Sequence, residues 1–217
     1  MKKNILLFGA NGYIAKCFID NYKSDYLIHP IYKKERENLL ALDFTRVSSI
    51  HHFVKNINFE INGILFLQGM NPSMGMKDIT EEHFDNMLKI NISSPAIIVR
   101  ELAGKFAEGC SVLFFSSVAK RKGSYDPAYA AAKAGLVGLM HSLANAYPVH
   151  RFNIISLGLV EESTVFNQMT DTFREKHASH MQNNKLVKSE NISQVIDLLL
   201  KNENINRADF AVDGGYV

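Results

Sequence analysis

The sequence predicts an α/β fold, in which a doubly wound parallel sheet of about seven strands carries helices on both faces. Seven short runs are predicted to be strands, and those at residues 4–8, 61–67 and 111–116 have the apolar character that is typical of strands buried on both sides. Helical patterns alternate with most of these runs, and glycine turns follow several of them. Since 217 residues that are 47% apolar can bury a substantial core, we predict one domain over residues 1–217.

The first strand and the turn after it are a candidate dinucleotide site. Residues 4–8 are apolar throughout. The small residues Gly9, Gly12 and Ala15 follow, and a helical pattern then continues to about residue 22. A glycine turn before a helix offers backbone N–H groups and partial positive charge to a phosphate. The cofactor contacts that we predict here are Gly9, Asn11, Gly12, Tyr13 and Ile14.

The second predicted strand, residues 26–32, ends at a basic pair. Lys33 and Lys34 follow it, and no carboxylate occurs before Glu35. At this point of a dinucleotide fold an acidic side chain binds the ribose of NAD, whereas a basic one accommodates the 2′-phosphate of NADP. The sequence therefore favours NADP(H), with Lys33 as a ligand and NAD(H) as the alternative. Both lysines could instead simply be solvated in a loop.

The other predicted elements continue the alternation. The remaining strands are short, and they comprise residues 39–43, 61–67, 111–116, 151–157 and 208–212. The remaining helices comprise residues 47–57, 80–103, 127–146 and 189–200, with Thr80 starting the second and Ser189 or Asn191 capping the last. Inside helix 80–103, Pro95 removes the donor for the carbonyl of Asn91. A polar segment near 161–185 is predicted to form a short lid.

Several candidate residues follow predicted strands directly. Sheets of this Rossmann-like type bind ligands beyond the carboxyl ends of their strands. We therefore expect residues from distant parts of the sequence to converge on one edge, namely Gly9, Gly12, Lys33, Gly69, Ser117 and Gly158.

Tyr129 and Lys133 are spaced i, i+4 in the alanine-rich helix, so they share one face. An ammonium ~4 Å from a phenol stabilises the phenolate and lowers its pKa by up to ~3 units, which suits acid–base catalysis near neutrality. The alternative is a packed tyrosine beside a solvated lysine. The two adjacent serines at the end of the strand before this helix, Ser116 and Ser117, are alternatives for the serine that lies beside the pair. Tyr125 is an alternative to Tyr129 as the proton donor, but it has no lysine four residues later.

Together these motifs resemble the short-chain dehydrogenase/reductase family over nearly the whole chain. The resemblance rests on the glycine turn, Asn91 in KINISS, Ser117 in FFSSVA, Tyr129 and Lys133 in YAAAKAG, and the closing VDGG. It implies that Tyr129 is the general acid–base and that Ser117 polarises the substrate oxygen. It further implies that Lys133 binds the nicotinamide ribose and lowers the tyrosine pKa, that Asn91 holds a relay water, and that Asp43 contacts the adenine.

The family resemblance also implies an activity and an assembly. The expected reaction interconverts a ketone, such as a 3-oxoacyl thioester or a sugar, and a secondary alcohol. A homodimer or homotetramer is expected through helices 80–103 and 127–146. A catalytically silent NADP-binding sensor or scaffold is the alternative. The chain departs from the family in having Leu67-Gln68-Gly69-Met70 after the fourth strand and Leu157 before Gly158, and Thr164 is a possible contact for the carboxamide.

Composition argues against other classes of protein. The net charge of +2 predicts neither a nucleic-acid nor a membrane partner. The two cysteines show no spacing pattern of a disulfide framework, and the N-terminal apolar run is too short for the core of a signal peptide. Both features predict a reducing, cytoplasmic location. The adjacent pair His51-His52 has no ligand set around it, so no metal site is predicted. The absence of a G-x-S-x-G motif argues against an acyl hydrolase.

Overall fold

The computed structural model describes residues 2–33, 40–69, 73–182 and 184–217. The strands are β1 Lys3–Phe8, β2 Tyr26–Tyr32, β3 Leu40–Ala41, β4 Ile61–Phe66, β5 Phe106–Ser117, β6 Arg151–Leu157 and β7 Asp209–Val212. The α-helices are α1 Tyr13–Tyr22, α2 Val47–Lys55, α3 Glu81–Leu88, α4 Ser94–Leu102, α5 Ala119–Lys122, α6 Pro127–Ala146, α7 Thr164–Gln168, α8 Asp171–Ser179 and α9 Ser189–Lys201. The expectations for Lys34, Glu35, Leu39 and the turn at 70–72 lie outside the described residues.

The seven strands form one parallel sheet in the order β3-β2-β1-β4-β5-β6-β7. The chain winds outward from β1 in one direction to β3 and in the other from β4 to β7. This confirms the predicted doubly wound fold. The direction of winding reverses between β1 and β4, and folds of this type place a ligand crevice at that point.

Both faces of the sheet are covered, which explains the uninterrupted apolar runs. In β1, Leu6 and Phe8 point to one face and pack in a core that includes side chains of α2, α4 and α6. Ile5 and Leu7 point to the other face and pack in a core that includes side chains of α1 and α9. Successive strand residues alternate between the two cores, so no position in the middle of a strand can be polar without a partner.

The predicted helix over residues 80–103 is divided in the structure. Thr80 caps α3 as expected, with its side chain accepting the N–H of His83 at 3.1 Å. A π-helical turn, Lys89–Ser93, then joins α3 to α4, and the N–H of Ser94 donates to the carbonyl of Lys89. The wider turn lies just before Pro95, which has no N–H to continue an α-helical ladder.

Other boundaries differ for local reasons. Strand β5 begins at Phe106 rather than at residue 111. Phe106 pairs with Ile61 of β4, and the register then shifts before Ser111 pairs with Gly63. The intervening residues interrupt the apolar pattern, which is why the sequence placed the start of the strand too late. The predicted caps of α9 are wrong: the cap is Lys188, without a side-chain bond, and Ser189 lies inside the helix. The neighbouring Val187 is bridged to Val160, which fixes the position at which the chain enters α9.

The segment predicted as a lid contains α7 and α8. Its ends are tied to the rest of the molecule, by the bridge between Val160 and Val187 and by an antiparallel bridge between Met181 and Tyr216. In the described part of the chain, no helix combines the length and the apolar character that crossing a bilayer requires.

Candidate active site

The glycine turn between β1 and α1 is held tightly against the end of β4. Gly9 has φ +81°, and a Cβ there would lie 2.6 Å from the backbone nitrogen of Gln68. Glycine is therefore needed at position 9 for both conformation and space. Gly12 caps α1 with extended backbone and no side-chain cap, so the first turn of the helix offers unshielded N–H groups.

A cleft of about 290 Å³ opens at the switch point, with the glycine turn in its wall. Six of the predicted cofactor contacts line it, namely Gly9, Asn11, Gly12, Lys33, Asp43 and Gly69. Its other lining residues are Ile31, Tyr32, Leu42, Phe44, Thr45, Leu67, Gln68, Ile90 and Thr164. The cleft thus joins the glycine turn, whose N–H groups could bind a phosphate, to apolar walls that could hold an aromatic ring.

The end of the cleft near β2 carries charge. Lys33 is exposed there, and Asp43 accepts the backbone N–H and the hydroxyl of Thr45 at 2.9 and 2.7 Å. Burial would raise the pKa of Asp43, but the Thr45 hydrogen bonds and the charges of Lys33 and Arg46 lower it on balance. Asp43 is thus an anion among two cations at neutral pH.

Lys133 is deeply buried next to the tyrosine rather than solvated. Only 6% of the residue is exposed, and its Nζ donates to the carbonyl of Phe115 at 2.8 Å. Nζ also lies 5.6 Å from the centre of the Tyr129 ring. Burial lowers the pKa of the Lys133 ammonium to about 8, because the charged form loses its hydration.

The pKa of Tyr129 differs from the prediction. Burial raises it, the hydrogen bond of Ser117 lowers it, and the charge of Asp126 raises it further, so the net pKa lies above the usual value. The sequence-based prediction of a lowered pKa is wrong for this structure. The physical reason is that desolvation of the phenolate outweighs the neighbouring donor.

The two serines at the end of β5 have different surroundings. The Ser116 hydroxyl donates to the carbonyl of Lys133 at 2.8 Å and is buried. Ser117 interacts with Tyr129 and accepts the N–H of Ala119 at 3.2 Å. Ser117 is thus the serine beside the tyrosine. Tyr125 is 72% exposed, so its hydroxyl does not share this buried environment.

Asn91 lies buried in the π-helical turn, and its amide donates to the carbonyl of Met87 at 2.9 Å. A Cβ at Gly69 would lie 4.0 Å from Asn91 Oδ1 and 3.7 Å from Lys133 Nζ. The structure therefore brings these three predicted residues together. Because Gly69 also lines the cleft, the cleft and the group around Lys133 adjoin.

Gln68 lies where the cleft adjoins the group around Lys133. The sequence identified this residue only as part of a segment that departs from the family pattern. Its Nε2 donates to the carbonyl of Ile90 at 3.3 Å, whereas its Oε1 is buried with no hydrogen-bond partner among the described residues. A buried acceptor without a donor is costly. The orphaned oxygen therefore fits a site whose ligand supplies a donor, as the hydroxyl groups or carboxamide of a nicotinamide cofactor would.

Five predicted cofactor contacts do not line the cleft. Two of them, Tyr129 and Lys133, lie in the buried group beside it, and the other three lie elsewhere. Tyr13 is exposed and hydrogen-bonds to Glu162, which raises its pKa, and Ile14 packs against the core on the α1 side of the sheet. At Gly158 a Cβ would lie 3.0 Å from the Cα of Asp213, so close packing against the end of β7 accounts for that glycine.

Sequence reasoning missed the pair formed by His83 and Asp126, whose facing nitrogen and oxygen are 2.8 Å apart. Asp126 caps α6, and the following Pro127 occupies the first turn. Asp before Pro at a helix start was a readable signal for the cap. No sequence signal joins His83 to it. The described residues contain no group of three or more potential metal ligands.

Comparisons with known proteins agree on one family. A family model described as enoyl-(acyl carrier protein) reductase matches residues 13–217. Short-chain dehydrogenase reductase 3c of Arabidopsis thaliana is 24% identical over 198 residues, which cover 84% of this chain and 76% of that protein. Dehydrogenase/reductase SDR family member 4 of Homo sapiens is 32% identical over 117 residues, which cover 51% of this chain and 41% of that protein.

Solved structures share the whole fold. A short-chain dehydrogenase/reductase described as glucose/ribitol dehydrogenase, from Brucella melitensis, has a TM-score of 0.87 at 17% identity, covering 99% of this chain and 98% of that chain. A short-chain dehydrogenase from Burkholderia cenocepacia J2315, in complex with NADP, has a TM-score of 0.87 at 18% identity, covering 98% and 97%. At these identities the likeness is one of fold.

Proposed function

Because this chain belongs to the short-chain dehydrogenase/reductase family of oxidoreductases, we propose that it uses NADP(H) to interconvert a ketone and a secondary alcohol. The observation that carries the proposal is the meeting of Ser117, Tyr129 and Lys133 at the carboxyl end of β5, next to the cleft that the glycine turn lines. Neither the cleft nor the buried group alone would distinguish a catalyst from a binding protein.

The side chains suit proton transfer to a carbonyl oxygen. The bound nicotinamide supplies or accepts the hydride. Tyr129 keeps its proton at neutral pH, because its pKa is raised, and donates it as the ketone oxygen gains negative charge. Ser117 stabilises the same oxygen by a hydrogen bond. In the reverse direction the tyrosine takes the proton of the alcohol.

Lys133 and Asn91 support the tyrosine in this proposal. An ammonium has three N–H groups, and the bond to Phe115 occupies one of them. The others would bind the ribose hydroxyls of the cofactor and stabilise the tyrosine after it has lost its proton. Asn91 Oδ1 lies on the same side of Gly69 as Lys133 Nζ. It would hold a water molecule through which a proton returns from solvent to Lys133 and Tyr129.

The proposed preference for NADP(H) rests on Lys33, with Arg46 as a second cation near Asp43. The related protein from Burkholderia cenocepacia was solved with NADP. We expect Lys33→Ala to weaken NADPH binding about 10- to 100-fold, as for the loss of a charged hydrogen bond, with NADH binding little changed. Lys55→Ala, in an exposed position on α2, is the matched control. Equal affinities for both cofactors in the wild type would argue against the preference.

A substrate screen tests the activity. The chain is incubated with NADPH and a panel of 3-oxoacyl thioesters, sugar ketones and an enoyl thioester, and NADPH consumption is followed. Turnover of a ketone supports the proposal. Turnover of the enoyl thioester alone, which is the substrate class in the family model's description, contradicts it. NADPH binding without consumption across the panel would instead favour a silent sensor or scaffold.

A further inference from the structure

A buried pair lies next to the tyrosine, and the proposed chemistry does not use it. His83 Nε2 donates to Asp126 Oδ2 across 2.8 Å, and the two side chains are 6% and 0% exposed. A carboxylate removed from water is costly unless protein donors replace the solvent. Asp126 receives such donors from two other parts of the chain as well.

The Asp126 carboxylate connects three segments around the site. Its Oδ1 accepts the backbone N–H of Tyr129 at 3.0 Å, which caps α6. Its Oδ2 accepts His83 from α3 and, at 3.4 Å, the N–H of Met74. The next residue, Gly75, packs so closely on Tyr125 that a Cβ there would lie 2.5 Å from the tyrosine oxygen. One carboxylate therefore fixes the first turn of α6 relative to α3 and to residues 73–75.

We propose that His83 and Asp126 are positioning residues for the reaction, which hold the first turn of α6 so that the Tyr129 phenol stays beside Ser117. This inference rests on the proposed function. The backbone of Tyr129 is itself bound by the carboxylate, so a shift of Asp126 shifts the proton donor. His83 contributes by binding Oδ2 of Asp126, which keeps Oδ1 directed at the N–H of Tyr129.

The charge of Asp126 also acts on the phenol. After burial, which is the largest cause, that charge raises the pKa of Tyr129, while Ser117 opposes it. The groups that act on the phenol thus come from β5 and from α6, where Lys133 lies 5.6 Å from the ring centre. From α3, the group that faces the carboxylate is His83.

Variants of His83 separate positioning from simple stability. His83→Leu removes the donor, whereas His83→Gln keeps an N–H donor on a side chain of similar reach. We expect the Leu variant to lose about 10- to 100-fold in kcat, with the NADPH Kd and the KM nearly unchanged, and the Gln variant to recover most of kcat. A folded Leu variant with wild-type kcat overturns the proposal, as does a Gln variant that recovers stability but not kcat.

A second measurement needs neither substrate nor turnover. Asp126→Asn keeps one oxygen to cap α6 but removes the charge and the second acceptor, which His83 and Met74 share. Tyr129 is titrated by phenolate absorbance, as the difference between each protein and its Tyr129→Phe counterpart. We expect the midpoint in Asp126→Asn to move to lower pH, while Asp85→Asn, at an exposed position of α3, leaves it unchanged.

The two measurements also separate failure of this inference from failure of the proposed function. An unchanged or higher midpoint in Asp126→Asn overturns the inference even if the enzyme is active. A lowered midpoint supports the coupling of Asp126 to Tyr129 even if no ketone is reduced. If His83→Leu does not fold, the Gln and Asn variants still decide the question.

Discussion

Burial determines the acid–base properties of Tyr129 and Lys133. Loss of hydration disfavours the charged form of each group, so the pKa of the tyrosine rises while the pKa of the lysine falls to about 8. The spacing of the two residues was visible in the sequence. The size of the desolvation was not, because it depends on how α6 packs on β5 and the π-helical turn.

The lowered pKa of Lys133 predicts a pH-dependent stability. Between about pH 8 and the ordinary lysine pKa near 10.5, the folded state binds fewer protons than the unfolded state. The buried ammonium therefore destabilises the fold most below pH 8, and the free energy of unfolding increases as pH rises above 8. Relative to Lys133→Met, the wild type should gain about 2 kcal/mol in free energy of unfolding between about pH 7 and 9.5. Urea unfolding at several pH values measures this. A constant difference would show that the lysine is not desolvated.

Among the elements, the π-helical turn Lys89–Ser93 has the most direct bearing on the site. It carries Asn91 and ends where Pro95 interrupts the helical donors. Pro95 and its missing donor were predictable from the sequence. The π geometry was not, because an unpaired carbonyl can also be relieved by a kink or by water.

Replacing Pro95 tests the role of this turn. Pro95→Ala restores an N–H for the carbonyl of Asn91 and favours a regular α-helix, which rotates Asn91 relative to Lys133. We expect kcat to fall by up to about 100-fold without a comparable loss of stability. Pro148→Ala, in an exposed position after α6, is the control and should leave kcat near that of the wild type. A fully active Pro95→Ala would show that the turn does not position Asn91.

Strands and helices with strong patterns were predictable, and their ends were less so. The bounds of α6 and β6 agree with the sequence, because each element begins and ends at a clear change of pattern. The cap of α9 was missed, because the bridge from Val187 to Val160 sets where the helix starts. Such a contact between residues distant in sequence cannot be read from local preference.

For the whole molecule, the order of the strands explains why the candidate residues meet. Parallel strands end at one edge, and the reversal between β1 and β4 opens the cleft beside that edge. Convergence of the residues that line the cleft could therefore be predicted from topology alone. The link between His83 and Asp126 could not, since 43 positions separate them and neither shows a distinguishing pattern.

The expected assembly can be tested on α6. Apart from its chain neighbours and the backbone of its own helix, a Cβ added at Gly138 would have no atom of the described residues within 4 Å, so a larger side chain meets no obstacle from the rest of the subunit. We propose that a second copy covers this helix, and we expect a solution mass of two or four times 24.4 kDa. Gly138→Arg should lower that mass, whereas Ser24→Arg, at an exposed position between α1 and β2, should not. A monomeric wild type by analytical ultracentrifugation would contradict this expectation.

The most direct test of the account is the turnover of Tyr129→Phe with NADPH and a ketone that the wild type reduces. The substitution removes one hydroxyl and keeps the ring that packs near Lys133. We expect kcat to fall by about 10²- to 10⁴-fold, as for loss of a general acid, while the NADPH Kd stays within about threefold of the wild type. Turnover at the wild-type rate would contradict the assignment of Tyr129 as the proton donor.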